Sequence, residues 1–340
     1  MSENIHSGIS DPIDAVILWV DGNDPVLTEK RNLYLKAEKK TTSHPGAHPS
    51  RFASSNEIRY CVFSILTFAP FVRNIFIVTD GQDPDLYSDV MTYFPEREGI
   101  LKIIDHKEIF RGYEQYLPTF NSSSIHSMIW RIEGLAENFI YFNDDVFLIR
   151  KSAPEDWFVN NRPVLRGKWL LPPVRKILGS YFKTFINRRL RNNSEYQPKI
   201  SFYIRQWKTA SLAGYRARYF FHCHTPYPMS RSRLEKYFSE NGELLEKIIA
   251  DRFRSYDQLL VTSLAYHLEI RDGNRQLAGL NREYLHPYYS DKRLAKKITH
   301  FQNDPRIKSI CVQSIELLDQ SIQQKILSWM DMALNLQDHK

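Results

Sequence analysis

The sequence predicts an α/β fold built on a mixed sheet, and three observations lead there. Apolar, β-branched and aromatic runs recur from Ile13 to Val20, Asn74 to Thr79, Ile100 to Asp105 and Asn138 to Phe142. Each reads as a buried strand. Helical periodicity separates several of them, as in a sheet flanked by helices. The strands also run into Asp21, Asp80, Asp105 and the pair Asp144-Asp145. In open α/β sheets the carboxyl ends of the strands face the ligand crevice. Each aspartate alone fits a turn; together they indicate one acidic crevice.

Taken in order, residues 1–12 read as a short lead-in. The first strand ends in Asp21-Gly22-Asn23-Asp24-Pro25, which is turn chemistry carrying two carboxylates. A polar, basic helix follows at about 26–40, then a Ser/His/Pro loop at 41–50. From Glu57 to Leu66, Ile58, Cys61, Val62 and Ile65 share one helical face. Another helix is expected at about 122–132, started by the N-cap formers Ser122-Ser123-Ser124. Residues 154–200 read as a basic helical insertion in a catalytic domain spanning 13–310. There Val174, Ile177, Leu178, Tyr181, Phe182, Phe185, Ile186 and Leu190 form one apolar stripe. Helices are expected near 230–249 and 256–268. A C-terminal amphipathic helix within 311–340 carries Ile315, Leu318, Ile322, Ile326, Leu327, Met330 and Leu334.

At 340 residues, 42% hydrophobic and 25% charged, the chain has a globular composition and can bury a full core. No run of about 18 apolar residues is present, and the opening residues lack the regions of a signal peptide. Cys61, Cys223 and Cys311 make no disulfide framework, so a cytoplasmic location is expected. The net charge of +7 is local. Between Asp156 and Glu195 no acidic residue occurs, and nine positive charges fall there: Arg162, Arg166, Lys168, Arg175, Lys176, Lys183, Arg188, Arg189 and Arg191. Such a patch implies an anionic partner.

The chemistry centres on Asn143-Asp144-Asp145. Two adjacent carboxylates at the end of a buried strand are costly unless a cation satisfies them, either a divalent metal or an arginine. Oxygen ligands of this kind suit Mg²⁺ or Mn²⁺ bound together with substrate phosphates. His222-Cys223-His224 lacks a second ligand pair for zinc. His224, held in a loop by two nearby prolines, suits proton transfer. Neither a phosphate-binding loop nor a dinucleotide fingerprint occurs, nor a hydrolase elbow. The absence of zinc-finger and RNA-binding signatures argues against nucleic acid as a partner.

The order of these motifs resembles the Stealth family of sugar-phosphate transferases. The stretch from Ile13 to Pro25 resembles its first conserved region. The second fits over Arg51-Phe52, Asn56 to Tyr60, Ala69 to Gln82, Arg131 to Leu135 and Phe139 to Asp145. His224-Thr225-Pro226 and Arg252 to Asp257 resemble the third. Two departures stand out. His126 occupies the place where the family has a glutamate regarded as catalytic, and Cys311-Val312-Gln313-Ser314 replaces the Cys-Ile-Asn-Asp of the fourth region.

The resemblance implies a GT-A-like (Rossmann-like) catalytic domain. The reaction it implies is transfer of a sugar-1-phosphate from a UDP-linked sugar donor to a hydroxyl of a growing glycan, releasing the nucleoside monophosphate. On this reading Asp145, with Asp144, holds a metal or orients the acceptor. Arg254 clamps phosphate, and His224 is the base or acid. Asp21, Asp24, Glu57, Arg59, Arg131, Asn143 and Asp257 line the substrate pocket. His126 points into the crevice, and His126→Glu is expected to raise turnover. An ordinary glycosyltransferase and a catalytically impaired glycan-binding relative are the rival readings. For 174–191, the expected partner is an anionic membrane surface, where a lipid-linked acceptor would lie, or an anionic acceptor polymer.

Overall fold

The computed structural model describes residues 11–37, 56–191, 196, 201–255 and 258–336. The loop at 41–50, Arg51-Phe52 and Asp257 lie outside them. Four parallel strands form the centre: β1 (Ile13–Leu18), β2 (Val72–Thr79), β3 (Leu101–Asp105) and β4 (Asn138–Asn143). β1 lies between β4 and β2, with β3 beyond β2 and the antiparallel strand Tyr227–Ser230 beyond β4. The sheet is therefore mixed, as the sequence predicts.

Register decides where the site falls. Leu18 pairs with both Val78 and Asn143, and Thr79 pairs with Asp105. The four strands thus end level, and the segments leaving them share one rim. β1 is apolar on both faces because both are covered. Ile13, Ala15 and Ile17 join one core with the helix Glu57–Phe68, while Val16 faces the other. The predicted stripe of that helix is buried, with Ile58, Cys61, Val62 and Ile65 at most 2% exposed.

β4 does not end at the rim. It turns through Asp144-Asp145 into β5 (Val146–Leu148), which pairs antiparallel with Ser309–Val312, itself parallel to Arg282–Leu285. The acidic pair is thus both a turn and the joint between two sheets. The segment predicted as a C-terminal helix begins as a strand, and its helix runs Gln320–Ala333. Ile322, Ile326 and Met330 pack into the same core as β1.

Two other expectations are corrected. The helix expected at 122–132 breaks into Ser122–His126 and a 3-10 turn at Ile129–Arg131. Ser127 Oγ donates to the Ser124 carbonyl, the local competition that makes serine a poor helix interior, and Ser124 Oγ donates across to the Ile248 carbonyl. The insertion is helical only from Val174. Before it, Leu165–Arg166 pairs with Leu277–Ala278, and Lys168–Leu170 pairs with Tyr219–Phe221, so that half belongs to the body. Arg166 is buried, donates to the Asp156 carbonyl and lies over Trp157. Arg162 and Lys168 lie on strands of that half; Arg175, Lys176, Lys183, Arg188 and Arg189 ride on Val174–Phe185 and the π-turn Ile186–Leu190, none of whose residues is buried, and Arg191 follows.

Candidate active site

The level strand ends enclose a cleft of about 240 Å³. Trp19 and Val20 line it after β1, and Asp80 and His106 after β2 and β3. Tyr141, Asn143, Asp144 and Asp145 come from β4 and its turn, with Ser122, His224, Arg254 and Gln313 completing the wall. Of the expected catalytic residues, Asp145, His224 and Arg254 meet here, with Asp144 and Asn143 beside them.

Asp145 is held from two sides. Its carbonyl accepts from Val312 N at 2.9 Å and its Oδ2 from Cys311 Sγ at 3.6 Å. Its Oδ1 is shut from solvent with no partner among the described residues. Burial, with Glu57 nearby, pushes the Asp145 carboxyl up to about 7. Burial and the charges of Asp145 and Glu57 push Asp144 well above the carboxylate range. An acidic pair so poorly neutralised is a site prepared for a cation or for anchored cationic groups.

His224 lines the same cleft. Its imidazole is sandwiched between Phe202 (5.1 Å, 15°) and Tyr284 (5.8 Å, 14°). Burial and the cations Arg282, Arg254 and Arg205 lower it to about 4, so it is neutral at pH 7 and able to accept a proton. Arg254 is held by Ser122, whose Oγ accepts from Nη2.

The other expected residues fare differently. Glu57 is buried behind the acidic pair and acts on it through charge. Asp21 and Asp24 sit at the rim, but their carboxylates serve the loop. Asp21 Oδ1 accepts from Asn23 N, and Asp24 accepts from Val26 N and Gln82 Nε2. Arg59 and Arg131 are not brought to the cleft. Arg59 donates to Asp89 at 2.6 Å and lies over Phe63. Arg131 donates to the carbonyls of Ile109 and Arg111. His126 is likewise absent from the cleft wall. It is 6% exposed and stacks on Tyr141 at 3.9 Å, with its Nε2 buried and unpartnered among the described residues. Burial lowers it to about 3. His126 thus touches Tyr141, whose hydroxyl donates to Asn143 Oδ1 at 2.7 Å.

Sequence reasoning gave no role to Gln313, Tyr141, Lys30 or His106. Lys30 pairs with Asp80 at 2.7 Å, and His106 lies 3.9 Å from the same carboxylate. The Cys311-to-Ser314 stretch was the available signal for Gln313. No pattern in the helix Pro25–Ala37 marks Lys30.

Among the described residues no group of three or more His, Cys, Asp or Glu forms a metal cage. Asp144 and Asp145 nevertheless fit Mg²⁺ or Mn²⁺, which often bind through one or two carboxylates plus substrate phosphates. The orphaned Oδ1 is the observation that favours this.

Fold and cleft together define an α/β protein in which carboxylates at the strand ends share one cleft with a neutral histidine and an arginine. Comparison with known proteins narrows the class. Residues 11–39 match Stealth protein CR1, conserved region 1, and residues 51–164 match Stealth protein CR2, conserved region 2. By these two regions the chain belongs to the Stealth proteins. An exopolysaccharide phosphotransferase of Streptomyces coelicolor is 43% identical over 158 residues, which is 46% of this chain and 27% of that protein. A second from the same organism is 33% identical over 258 residues, covering 75% and 38%. A capsular polysaccharide phosphotransferase of Actinobacillus pleuropneumoniae is 39% identical over 149 residues, covering 44% and 39%. The chain spans only about a quarter to two-fifths of these relatives' length. A crystal structure of the galactosyltransferase LgtC aligns at TM-score 0.43 with 10% identity, over 96% of this chain and 97% of that one. A likeness that loose does not extend to chemistry.

Proposed function

We propose that the chain transfers a sugar-1-phosphate from a nucleotide-sugar to a hydroxyl of a cell-surface polysaccharide. The observation that carries this reading is the buried Asp145 oxygen, unpartnered among the described residues, sharing one cleft with Arg254 and a neutral His224. The names of the relatives agree with it.

The acceptor oxygen attacks the phosphorus that bears the sugar. A new P–O bond forms, the bond to the bridging oxygen breaks, and the nucleoside monophosphate leaves with that electron pair. His224 takes the hydroxyl proton. Arg254 holds a phosphate oxygen pair in fork geometry. Lys30 and His106 keep Asp80 in place at the far side of the cleft. Asp144 and Asp145 are the residues that would hold Mg²⁺ or Mn²⁺, which when bound neutralises phosphate charge. Positioning and charge compensation supply most of the acceleration in such transfers.

Incubation with a panel of nucleotide-sugars, followed by analysis of the released nucleotide, tests the reading. Monophosphate release supports it. Release of the diphosphate makes the protein an ordinary glycosyltransferase, and binding without turnover makes it a non-catalytic relative.

The exposed helix supports a place of action as well. Val174, Leu178, Tyr181, Phe182, Phe185 and Leu190 are each between 55% and 72% exposed. Arg175, Lys176, Lys183, Arg188, Arg189 and Arg191 accompany them with no acidic residue. An uncovered apolar stripe beside basic residues fits the interface of an anionic bilayer. No described helix is long and apolar enough to cross a membrane. Changing Arg188, Arg189 and Arg191 together to Glu should abolish sedimentation with phosphatidylglycerol vesicles and spare turnover of a short soluble acceptor. Unchanged sedimentation overturns the membrane role.

A further inference from the structure

His224 is the first ring of a series that leaves the cleft. It stacks on Tyr284, which lies 5.8 Å from His286; His286 lies 4.9 Å from Tyr288 and 5.7 Å from Tyr289. Strand alternation explains why the rings share a side. Tyr284 and His286 are two residues apart, with the buried Leu285 pointing the other way. Tyr284 is tied to the cleft floor by its hydroxyl, which donates to Gln313. At the outer end Tyr288 is 81% exposed, and Arg293 lies 3.7 Å over Tyr289.

A single exposed tyrosine needs no explanation. An unbroken row of rings from the proton-accepting histidine to solvent does, because it makes an exposed aromatic surface continuous with a reaction cleft. From this we infer that Tyr284, His286, Tyr288 and Tyr289 form the subsite for the acceptor glycan, with its reacting hydroxyl at His224. The inference rests on the transfer reading above.

The chemistry matches a sugar chain. Each sugar ring presents a C–H face that packs on an aromatic face, as apolar area packs on any ring. Its edge carries hydroxyls that suit the donors and acceptors of His286, Arg293 and the tyrosine hydroxyls. A lipid or apolar peptide would leave those polar groups unsatisfied. The row also separates the two substrates. The donor is left the side of the cleft under β1, β2 and β3, and the acceptor enters over the second sheet.

A glycan array probed with the full chain and with the double variant His286→Ala/Tyr288→Ala tests this. Tyr288 is exposed and His286 half-buried, and circular dichroism checks that the variant keeps its fold. The unaltered protein should retain a set of oligosaccharides that the variant loses by about tenfold, the scale of two lost ring contacts. Tyr288→Phe should retain them, and affinity for whichever nucleotide-sugar of the panel the unaltered protein binds should stay the same in all three proteins. Equal retention by protein and double variant, or no glycan retained by the unaltered protein, overturns the subsite. If retention is lost as expected but no nucleotide-sugar yields a monophosphate, the subsite stands and the transfer reading falls.

Discussion

Aspartates lie at both ends of the central sheet, and their surroundings differ. At the amino end of β1, Asp14 is fully buried and fully answered. Arg73 donates to both its oxygens at 2.9 and 2.6 Å, and the backbone N–H groups of Asn74 and Ala136 donate at 3.1 and 2.7 Å. At the carboxyl end of β4, Asp144 and Asp145 crowd each other and Glu57, and a thiol is the only side-chain donor to Asp145 among its described hydrogen bonds. A carboxylate that serves the fold comes with its partners. One that serves a ligand is left waiting for them, at a standing cost in stability.

The same substitution at the two ends should therefore have opposite consequences. Asp145→Asn should lower turnover by about 10²-fold or more while thermal stability holds or rises, since a crowded buried charge is removed. Asp14→Asn should cost about 2–3 kcal/mol of stability and leave the turnover of folded molecules unchanged. Equal stability losses at both positions would erase the distinction, and a folded, fully active Asp145→Asn would end the catalytic role of the pair.

His126 sharpens the comparison. The resemblance to the family leads one to expect that His126→Glu raises turnover. Its position against Tyr141, away from the cleft wall, reverses that expectation. A glutamate there would bury an unpaired carboxyl against the Tyr141 ring, so His126→Glu should be less stable and no faster. His126→Leu, which keeps an apolar contact with the Tyr141 ring, should retain more than a tenth of the activity. A faster His126→Glu would restore the family role.

The smallest effect concerns pH. His106, His126, His222, His224 and His267 are all lowered by burial, to between about 3 and about 4. In the unfolded chain they titrate near 6.5. Below that pH the unfolded state takes up protons that the folded state refuses, so stability present above about 6.5 is lost as pH falls toward 4. Asp144 and Asp145, raised by burial, oppose this with the other sign, but they are two groups against five. The melting temperature should drop by several degrees between pH 7.5 and 5.5. A flat profile would show that the histidines are hydrated in solution.

Much of this is legible in the sequence. Strands with two apolar faces mark the sheet, and the carboxylates at their ends mark its working edge. Arg59 and Arg131 show where such reasoning stops. A guanidinium that clamps phosphate and one that ties down its own carbonyls look alike in a sequence, and only the position of the acceptors separates them. Lys30 is invisible for a related reason, and Gln313 is marked only by its place in the Cys311-to-Ser314 stretch. Lys30 meets the cleft only through its pair with Asp80, a contact distant along the chain that no local period encodes. The apolar stripe of 174–190 is legible, but whether it is covered is a fact of packing.

The joint at Asp144-Asp145 has a consequence for the chain while it is being made. The strand that braces Asp145 lies some 166 residues further on, at Cys311. At roughly 5–20 residues per second, a ribosome needs about 10–30 s to deliver it after the aspartates have emerged. During that interval the central sheet has all four of its parallel strands, yet the turn between β4 and β5 has no second sheet to hold it. A nascent chain can therefore begin to fold around Asp14 long before it can act on a substrate. The strand that braces Asp145 is the last of the described strands along the chain.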